Sequence, residues 1–343
     1  MARFKYSIKP LQHGMATDYP SLYTQFGFSP AAVNIKIDQH SVSKPWGHYA
    51  FRDVAEKVYN IILFQLKDGT RNTVYLTATG AHKKTATATS SITAAANPYT
   101  VPDGDRWSYA IVDDKLCFTN GNTNVQYWTG TGNVANLDTT YATKARFCIE
   151  FANRLWLADY YDAGIRNPMG LRGSKEGDPT NWTDSTAQDY EFVETDDFIT
   201  GLGKCGNQIV VYKRESFYIG TKTAQPTDPL VFDIQRKGIG CIAPWSILEV
   251  LGTNVFLGRD DFYMIDGDYA KPIGENMRHK FYDIVERTEA EKTWGFVNHW
   301  QHECRWFANT SEGQYAFIWD YKTNEWYLDQ FPTKITAAGT GAV

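Results

Sequence analysis

Three pairs of adjacent aspartates are the residues of this sequence best suited to hydrolytic chemistry. Glycoside hydrolases commonly use two carboxyl groups, one as general acid and the other as base or nucleophile. Adjacent residues on a strand point to opposite faces, however, and Asp is favoured in tight turns because its side chain bonds the local backbone. The Ser-x-Asp-x-Gly-x-x-Trp box of sialidases is also absent. We therefore interpret these pairs as turn residues: Asp113-Asp114, Asp196-Asp197 and Asp260-Asp261.

The stretch from His299 to Cys304 is the densest group of side chains that could bind a metal ion. His299 and His302 would share one face of a helix, but they point apart on the strand and turn that the local pattern predicts. The sequence offers no second ligand pair at a spacing that would complete a tetrahedral zinc site. We therefore predict no metal site.

The five cysteines lie within or beside apolar runs, and their number is odd. No two of them form a Cys-x-x-Cys pair, and their density is far below that of a disulfide-stabilised scaffold. We predict that they are free thiols serving as small core residues in a reducing compartment. They are Cys117, Cys148, Cys205, Cys241 and Cys304.

Motifs that bind nucleotides or carry catalytic nucleophiles are missing. The sequence contains no P-loop, no Gly-x-Ser-x-Gly elbow and no His-Glu-x-x-His. Asp103-Gly-Asp105 and Asp266-Gly-Asp268 begin like calcium loops, but neither continues to a closing Glu. We predict a protein that is not an enzyme, with no catalytic residue and no cofactor.

Composition narrows the class of protein further. The net charge is −5, from 39 acidic and 34 basic residues, so the chain lacks the basic excess of a protein that coats nucleic acid. Aromatic residues make up 15% of the chain and favour strands. No apolar run approaches the ~18 residues of a membrane span, and residues 1–7 do not begin a secretory signal. We expect a soluble, folded, strand-rich protein.

Apolar runs separated by short Asp, Asn and Gly turns recur through residues 51–335 and indicate hairpins. Successive second strands are 42, 39, 54, 46 and 51 residues apart. A period of about 40–50 residues with several strands per repeat is typical of a β-propeller. We predict an all-β fold, a β-propeller of about six blades, with a pair of β-sandwich domains as the alternative. The second-strand markers are Val74, Leu116, Leu155, Ile209, Val255 and Trp306.

Four segments depart from this repeat. Residues 1–50 contain four spaced prolines, which exclude a long helix or a central strand, so we predict an extended N-terminal arm. Residues 77–96 are mostly Ala, Thr and Ser and are predicted to form a long exposed loop. Residues 275–287 place apolar side chains on one helical face and are predicted to form a short helix. Residues 336–343 are predicted to be a flexible tail.

An ordered series of motifs occupies the middle of the chain, roughly residues 145–330. In this order the motifs resemble virion proteins of tailed bacteriophages, in particular the β-propeller tail-nozzle, hub or packaged-DNA-stabilisation proteins of short-tailed phages. The chain lacks the inserted domains of the larger relatives, so the resemblance implies a compact version. The motifs are Asn153-Arg-Leu-Trp-Leu-Ala-Asp159, Gly177-Asp-Pro-Thr-Asn-Trp182, Phe198-Ile-Thr-Gly-Leu202, Gln208-Ile-Val-Val-Tyr-Lys213, Ser216-Phe-Tyr-Ile-Gly220, Gly238-Ile-Gly-Cys-Ile-Ala-Pro-Trp-Ser-Ile247 and Phe256-Leu-Gly-Arg-Asp-Asp-Phe-Tyr-Met-Ile-Asp-Gly267.

The resemblance implies a structural subunit of the head–tail connector. Such a homo-oligomeric ring, commonly a hexamer, lies below the portal and adaptor, extends the DNA exit channel and helps to retain packaged DNA before ejection. It implies location in the virion tail after assembly in the host bacterial cytoplasm, with the portal, the adaptor and other tail components as partners. A slightly acidic chain would let DNA pass without sequence-specific binding, because Lys and Arg contacts to phosphate cause retention. A carbohydrate-active or cell-surface-binding propeller of the phage tail is the alternative.

Copies of an asymmetric propeller can form a ring only through two unlike surfaces. Aromatic anchors dominate interface energies, and an irregular arm has little core in which to bury its rings. We therefore expect the arm, the 77–96 loop and the 275–287 helix to contribute to the contacts between copies. The alternative is an arm that folds back on its own propeller. The interface candidates are Phe4, Tyr6, Tyr19, Tyr23, Phe26, Phe28 and Phe281.

Overall fold

The protein is a six-blade β-propeller, as the repeat predicts. The computed structural model describes residues 15–18, 28–29, 32–38, 41–44, 56–85, 88–94, 99–137 and 140–339. Within them, six antiparallel sheets follow one another along the chain, and each contains four consecutive strands. All six second-strand markers lie on the second strand of a blade and are fully buried, because apolar side chains must fill the space between neighbouring blades.

A small sheet of the arm precedes the blades; its strands are β1 (Lys36–Asp38) and β2 (Ser41–Ser43). Blade 1 contains β3 (Val58–Gln65), β4 (Arg71–Thr77), β5 (Ala81–Lys84) and β6 (Thr89–Ser91). Blade 2 contains β7 (Ser108–Val112), β8 (Lys115–Thr119), β9 (Gln126–Trp128) and β10 (Ala135–Asn136). Blade 3 contains β11 (Lys144–Phe151), β12 (Arg154–Asp162), β13 (Ile165–Gly173) and β14 (Gln188–Glu191).

The second half of the ring has the same organisation. Blade 4 contains β15 (Ile199–Cys205), β16 (Gln208–Lys213), β17 (Ser216–Lys222) and β18 (Leu230–Lys237). Blade 5 contains β19 (Leu248–Val250), β20 (Thr253–Leu257), β21 (Phe262–Asp266) and β22 (Tyr269–Pro272). Blade 6 contains β23 (Trp294–Asn298), β24 (Glu303–Thr310), β25 (Gly313–Asp320) and β26 (Glu325–Phe331).

Two-residue turns join the first and second strands of several blades. Asp113-Asp114, Ala152-Asn153 and Leu251-Gly252 all have positive φ at both positions. This is the geometry of the type I′ turn, whose twist matches that of the two strands it connects. These first hairpins share one face of the ring with the third hairpins, since the His302 and Tyr321 rings lie 5.6 Å apart.

Apolar side chains fill five of the six joints between neighbouring blades. Separate buried clusters join blades 1 and 2, 2 and 3, 3 and 4, 4 and 5, and 5 and 6. Among the described residues no such cluster joins blade 6 to blade 1, where the two ends of the propeller meet. We call this joint the seam. It is bridged by an ion pair between Lys292 and Asp103, 2.8 Å apart, and by the Arg106 guanidinium, 4.2 Å from the centre of the Trp294 ring.

The segment after β26 also crosses the seam. The side-chain amide of Gln314 accepts a hydrogen bond from the Ile335 N–H at 2.7 Å and donates one to the Ile335 carbonyl at 3.1 Å. Farther along, the Thr336 carbonyl accepts a hydrogen bond from Arg106. Gly339 packs so closely on β3 that an added Cβ would lie 2.8 Å from the Ile61 carbonyl oxygen. The described part of the predicted tail, residues 336–339, therefore bridges the two ends of the propeller.

The prediction of a long exposed loop over residues 77–96 was wrong. The described residues of this segment include β5 and β6, the outer strands of blade 1, with Ala81 and Ile92 buried in the core. Threonine is β-branched and suits a strand, and its hydroxyl can replace a missing backbone partner. Thr93 illustrates this, since its Oγ1 accepts a hydrogen bond from the Ala81 N–H at 2.9 Å.

The predicted helix is present as α1 (Arg278–Ile284), followed by the single turn α2 (Arg287–Ala290). A short 3₁₀ helix, Pro244–Ser246, lies between blades 4 and 5. Phe281 is fully buried in its own chain, with its ring 5.1 Å from Phe262 and 4.8 Å from Phe317. Its selection as a contact between copies was therefore wrong, because the apolar face of α1 fills the core between blades 5 and 6.

The described residues of the arm pack against their own propeller. The Met15 N–H donates a hydrogen bond to the Trp326 carbonyl at 2.7 Å, and the Asn34 N–H donates one to the Leu328 carbonyl at 2.9 Å. Met15 is buried, with 3% of its surface exposed. These contacts extend the outer edge of blade 6 and agree with the alternative in which the arm folds back. Of the arm's interface candidates, Phe28 is half-buried, and Phe4, Tyr6, Tyr19, Tyr23 and Phe26 lie outside the described residues.

Removing residues 1–44 is expected to lower the free energy of unfolding by about 3 kcal/mol, because the burial of Met15 and the arm's hydrogen bonds to blade 6 are lost. Thermal denaturation followed by circular dichroism measures the change. The substitution Met15→Ala in the full chain removes only one of these contacts and should lower the free energy of unfolding by a smaller amount. An unchanged melting curve for the shortened chain would contradict this role of the arm.

Candidate functional site

The aspartates of the three pairs make local stabilising contacts, and the pairs do not converge on one site. Asp113 forms an ion pair with Lys67 at 2.5 Å. Asp197 accepts a hydrogen bond from the Glu215 N–H at 2.8 Å. Each pair belongs to a different part of the ring, so no two pairs present opposed carboxyl groups to one substrate. Their geometry agrees with the interpretation as turn residues.

Asp261 is the most deeply buried carboxylate of the three pairs. It accepts a hydrogen bond from the Phe262 N–H at 2.7 Å and one from Arg278 of α1 at 3.2 Å. Burial raises the pKa of this carboxyl group, while the Arg278 charge opposes the rise. Its neighbour Asp260 is exposed and accepts a hydrogen bond from the Tyr263 hydroxyl at 2.7 Å. Asp261 therefore ties the β20–β21 turn to α1, which is a structural role.

The residues from His299 to Cys304 do not form a metal site. His299 is exposed, the His302 ring packs against Tyr321, and the Cys304 thiol is buried in the core of blade 6. Among the described residues there is no group of three or more His, Cys, Asp or Glu side chains placed to hold a metal ion.

All five cysteines are free thiols, as predicted, and four of them are buried. Burial raises the pKa of Cys148 and of Cys241 to about 12, and that of the less buried Cys205 to about 11. Thiols with these pKa values are almost entirely protonated at neutral pH, and the protonated thiol is a poor nucleophile. None of the three is suited to nucleophilic catalysis.

The first strands of all six blades line a central channel, which encloses a cavity of about 450 Å³. Its wall carries aromatic side chains, including Phe147, Trp245 and Trp294, together with the guanidinium of Arg106. Sequence reasoning did not select these residues. The sequence carries no signal for this site, because the residues that surround Arg106 in the channel are far from it in the chain.

A second unusual surface lies on the face of the ring that carries the first and third hairpins. Trp300 is 89% exposed at the tip of the β23–β24 hairpin, and Leu251 is 75% exposed at the tip of the β19–β20 hairpin. Tyr269, at the start of β22, is also exposed on this face. Blades 5 and 6 are neighbours, so these three side chains lie along one sector of the ring. We call them the hairpin rim.

Leu251 combines two features that each reduce stability. Its φ of 53° is costly for a branched apolar residue, and Asn or Gly is preferred at this turn position. Its side chain is also largely in water. Positions that retain such strain often serve a function. A Leu-Gly turn in place of Asn-Gly, and a Trp between two histidines in a hairpin, are the sequence signals that could have identified the rim.

Comparisons with known proteins give distant similarities to solved structures. No protein-family model matches the chain, and no curated protein matches it. Similar solved structures include PorZ, a surface component of the type-IX secretion system of Porphyromonas gingivalis, at 11% identity, covering 84% of this chain and 34% of PorZ with a TM-score of 0.45. The chain therefore spans about a third of PorZ.

Two further similar structures match over most of their own length. One is BBS1N in complex with ARL6DN, at 10% identity, covering 85% of this chain and 88% of that one with a TM-score of 0.49. The other is a catalytically inactive virginiamycin B lyase from Staphylococcus aureus with quinupristin, at 10% identity. The match covers 82% of this chain and 87% of the lyase, with a TM-score of 0.45. None of these three structures is of a phage protein. In the described part of the chain no helix is long and apolar enough to span a membrane.

Proposed function

We propose that this chain is a structural virion protein, a tail-nozzle or hub subunit of a short-tailed bacteriophage. Its copies would form a ring, commonly of six, that extends the DNA exit channel below the portal and adaptor and helps to retain packaged DNA. The observation that carries the proposal is the ordered motif series. The stretches Asn153–Asp159, Gln208–Lys213 and Phe256–Gly267 coincide with core strands of blades 3, 4 and 5, so the motifs form one continuous part of the propeller.

The roles of the candidate catalytic groups favour a structural function over an enzymatic one. The buried carboxylate Asp261 is tied to Arg278, and Asp113 is tied to Lys67. A catalytic acid or base needs a substrate-sized space beside it and a partner group across that space. The aspartate pairs do not meet the second requirement, because they lie in three separate parts of the ring: a turn of blade 2, the connection between blades 3 and 4, and a turn of blade 5.

The hairpin rim supplies the surface for assembly in this proposal. Exposed aromatic and large aliphatic side chains on one face indicate a contact site, since such residues are the usual anchors of interfaces. The rim is on blades 5 and 6 only, so it would serve as one of the two unlike surfaces that a ring of identical copies requires. The partner surface would be on the adjacent copy or on the adaptor.

Reconstitution with the portal–adaptor complex tests the proposal. Mass photometry of the purified chain with this complex should show the added mass of a complete ring, and electron cryomicroscopy should show density below the adaptor. The chain alone can remain monomeric, because assembly would require the template. A chain that stays monomeric with the template present contradicts the proposed function.

Polysaccharide hydrolysis by the purified chain would favour the carbohydrate-active alternative instead. That activity should then disappear in the Asp261→Asn and Asp260→Asn variants. Binding to intact host cells without turnover would favour the receptor-binding alternative. We expect neither activity.

A further inference from the structure

The central channel contains a cation without a counter-charge. Of the described residues that line it, Arg106 is the one charged side chain; the remainder of the wall is apolar, aromatic or neutral polar. No carboxylate lies within ion-pair distance of Arg106 among the described residues. A half-buried charge facing uncharged walls is costly unless it meets an opposite charge or a full set of hydrogen bonds.

The Arg106 guanidinium has more N–H donors than it uses in hydrogen bonds to the described residues. Its Nη2 donates hydrogen bonds to the Tyr59 and Thr336 carbonyls, and its guanidinium stacks on the Trp294 ring. A guanidinium has five N–H donors, so three of them remain without an acceptor among the described residues. Burial lowers the pKa of Arg106 to about 9, which still leaves the group protonated at neutral pH. The charged guanidinium therefore lies in the channel wall with N–H groups that have no acceptor among the described residues.

Two residues that line the channel each have a buried side-chain polar atom without a partner among the described residues. The indole N–H of Trp245 has no acceptor, and its ring packs against Phe147 with centroids 5.7 Å apart. The side-chain oxygen of Asn60 on β3 has no donor. The channel thus contains a cation surrounded by aromatic faces, and two of its lining residues have a buried, unpartnered polar atom that reaches a ligand only if the side chain turns toward it.

From this combination we infer that the channel binds a small hydroxylated carboxylate, of the chemical class of a sugar acid. The carboxylate would accept a hydrogen bond from Arg106 and, once that side chain turns toward the ligand, one from Trp245. A ligand hydroxyl would donate to the Asn60 oxygen after a similar turn of its side chain. Sugar rings pack well on aromatic faces, and a cavity of about 450 Å³ is within the usual size range of small-molecule sites.

The charge balance selects a monoanion. One guanidinium neutralises one carboxylate, and two backbone carbonyls already occupy Nη2 of Arg106. A phosphate dianion would retain an unbalanced negative charge in a wall that contains no second base among its described residues. This inference does not rest on the proposed ring, because the channel lies within a single copy.

A purely structural role for Arg106 is the competing explanation, since the same side chain links the tail to blade 1. The substitution Trp245→Phe separates the two roles. It removes the indole N–H together with part of the ring, and Trp245 packs against the clusters of blades 3–4 and 5–6 rather than at the seam. Arg106→Gln removes the charge and reports on both roles together.

The experiment is a titration of the full chain with D-glucuronate, with glucose and acetate as controls, followed by isothermal calorimetry and tryptophan fluorescence. Glucuronate should bind with a dissociation constant below about 1 mM, and glucose and acetate should bind at least tenfold more weakly. Arg106→Gln should weaken glucuronate binding by about tenfold or more, and Trp245→Phe by about twofold to tenfold.

Absence of saturable glucuronate binding to the unchanged chain overturns the inference. Equal binding of glucose overturns the assignment to a carboxylate, and equal binding of acetate overturns the requirement for hydroxyl groups. If Arg106→Gln does not fold, Trp245→Phe decides the matter, because undiminished binding by that folded variant places the ligand elsewhere.

Discussion

The double variant Leu251→Asn, Trp300→Ser is expected to lose assembly on the portal–adaptor template while its melting temperature stays the same or rises. Removing the two most exposed anchors of the hairpin rim eliminates most of its apolar contact area, and truncation of such anchors commonly weakens an interface by 10²-fold or more. Asparagine suits the positive φ at position 251, so the turn itself gains stability. Mass photometry with the template measures the first effect, and calorimetry measures the second.

A matched control for this variant is available on the opposite face. Ile165 is 75% exposed, as Leu251 is, but it lies at the β12–β13 turn, which is a second hairpin. The variant Ile165→Ser should assemble normally. If the rim variant assembles as well as the unchanged chain, then the rim is not the contact surface, and the proposed ring must use another one.

Arg154→Ala is expected to be the most destabilising single substitution that we predict, at roughly 3–5 kcal/mol. The Arg154 side chain is 1% exposed, and its guanidinium donates to the Ser174, Thr186 and Pro226 carbonyls. Truncation leaves those carbonyls without their donor and opens a cavity between the third hairpins of blades 3 and 4. Chemical denaturation gives the free energy of unfolding directly.

Arg259→Ala provides the control for that substitution. Its side chain is 69% exposed and is paired at 3.3 Å with the equally exposed Glu215. Surface ion pairs of this kind contribute little, so the change should be within about 0.5 kcal/mol. Similar losses from both variants would indicate a general effect of removing arginine rather than the loss of the buried hydrogen bonds of Arg154.

The propeller could be predicted from the sequence because the same requirement for burial recurs in every blade. Every blade must bury its second strand between two neighbours, so an apolar run recurs once per blade, and tight turns with Asp, Asn or Gly follow from hairpin geometry. The outer strands of blade 1 were missed because few apolar side chains of the described part of that segment, chiefly Ala81 and Ile92, are buried in the core. A strand held mainly by its backbone and by threonine hydroxyls carries little apolar pattern.

The functional surfaces were less predictable, since burial and exposure depend on contacts between distant residues. Phe281 was selected as an interface residue on its chemical type, but the core between blades 5 and 6 encloses it. Arg106 had no sequence signal, because its neighbours Tyr59, Trp294 and Thr336 come from three separate parts of the chain. Trp300 did carry a sequence signal, a Trp between two histidines in a hairpin, but its 89% exposure follows from the place of that hairpin on the ring.

The seam gives the ring a preferred place to open. Five joints connect blades that follow one another along the chain, whereas the contact of Arg106 with Thr336 closes a loop of 230 residues. The entropy of closing a loop of that length costs on the order of 5 kcal/mol, and among the described residues no apolar cluster at this joint offsets it. Opening at the seam would leave every blade and the other five joints intact. We expect any widening of the central channel to begin at this joint, and faster amide hydrogen exchange at the seam than at the other five joints would be its measurable sign.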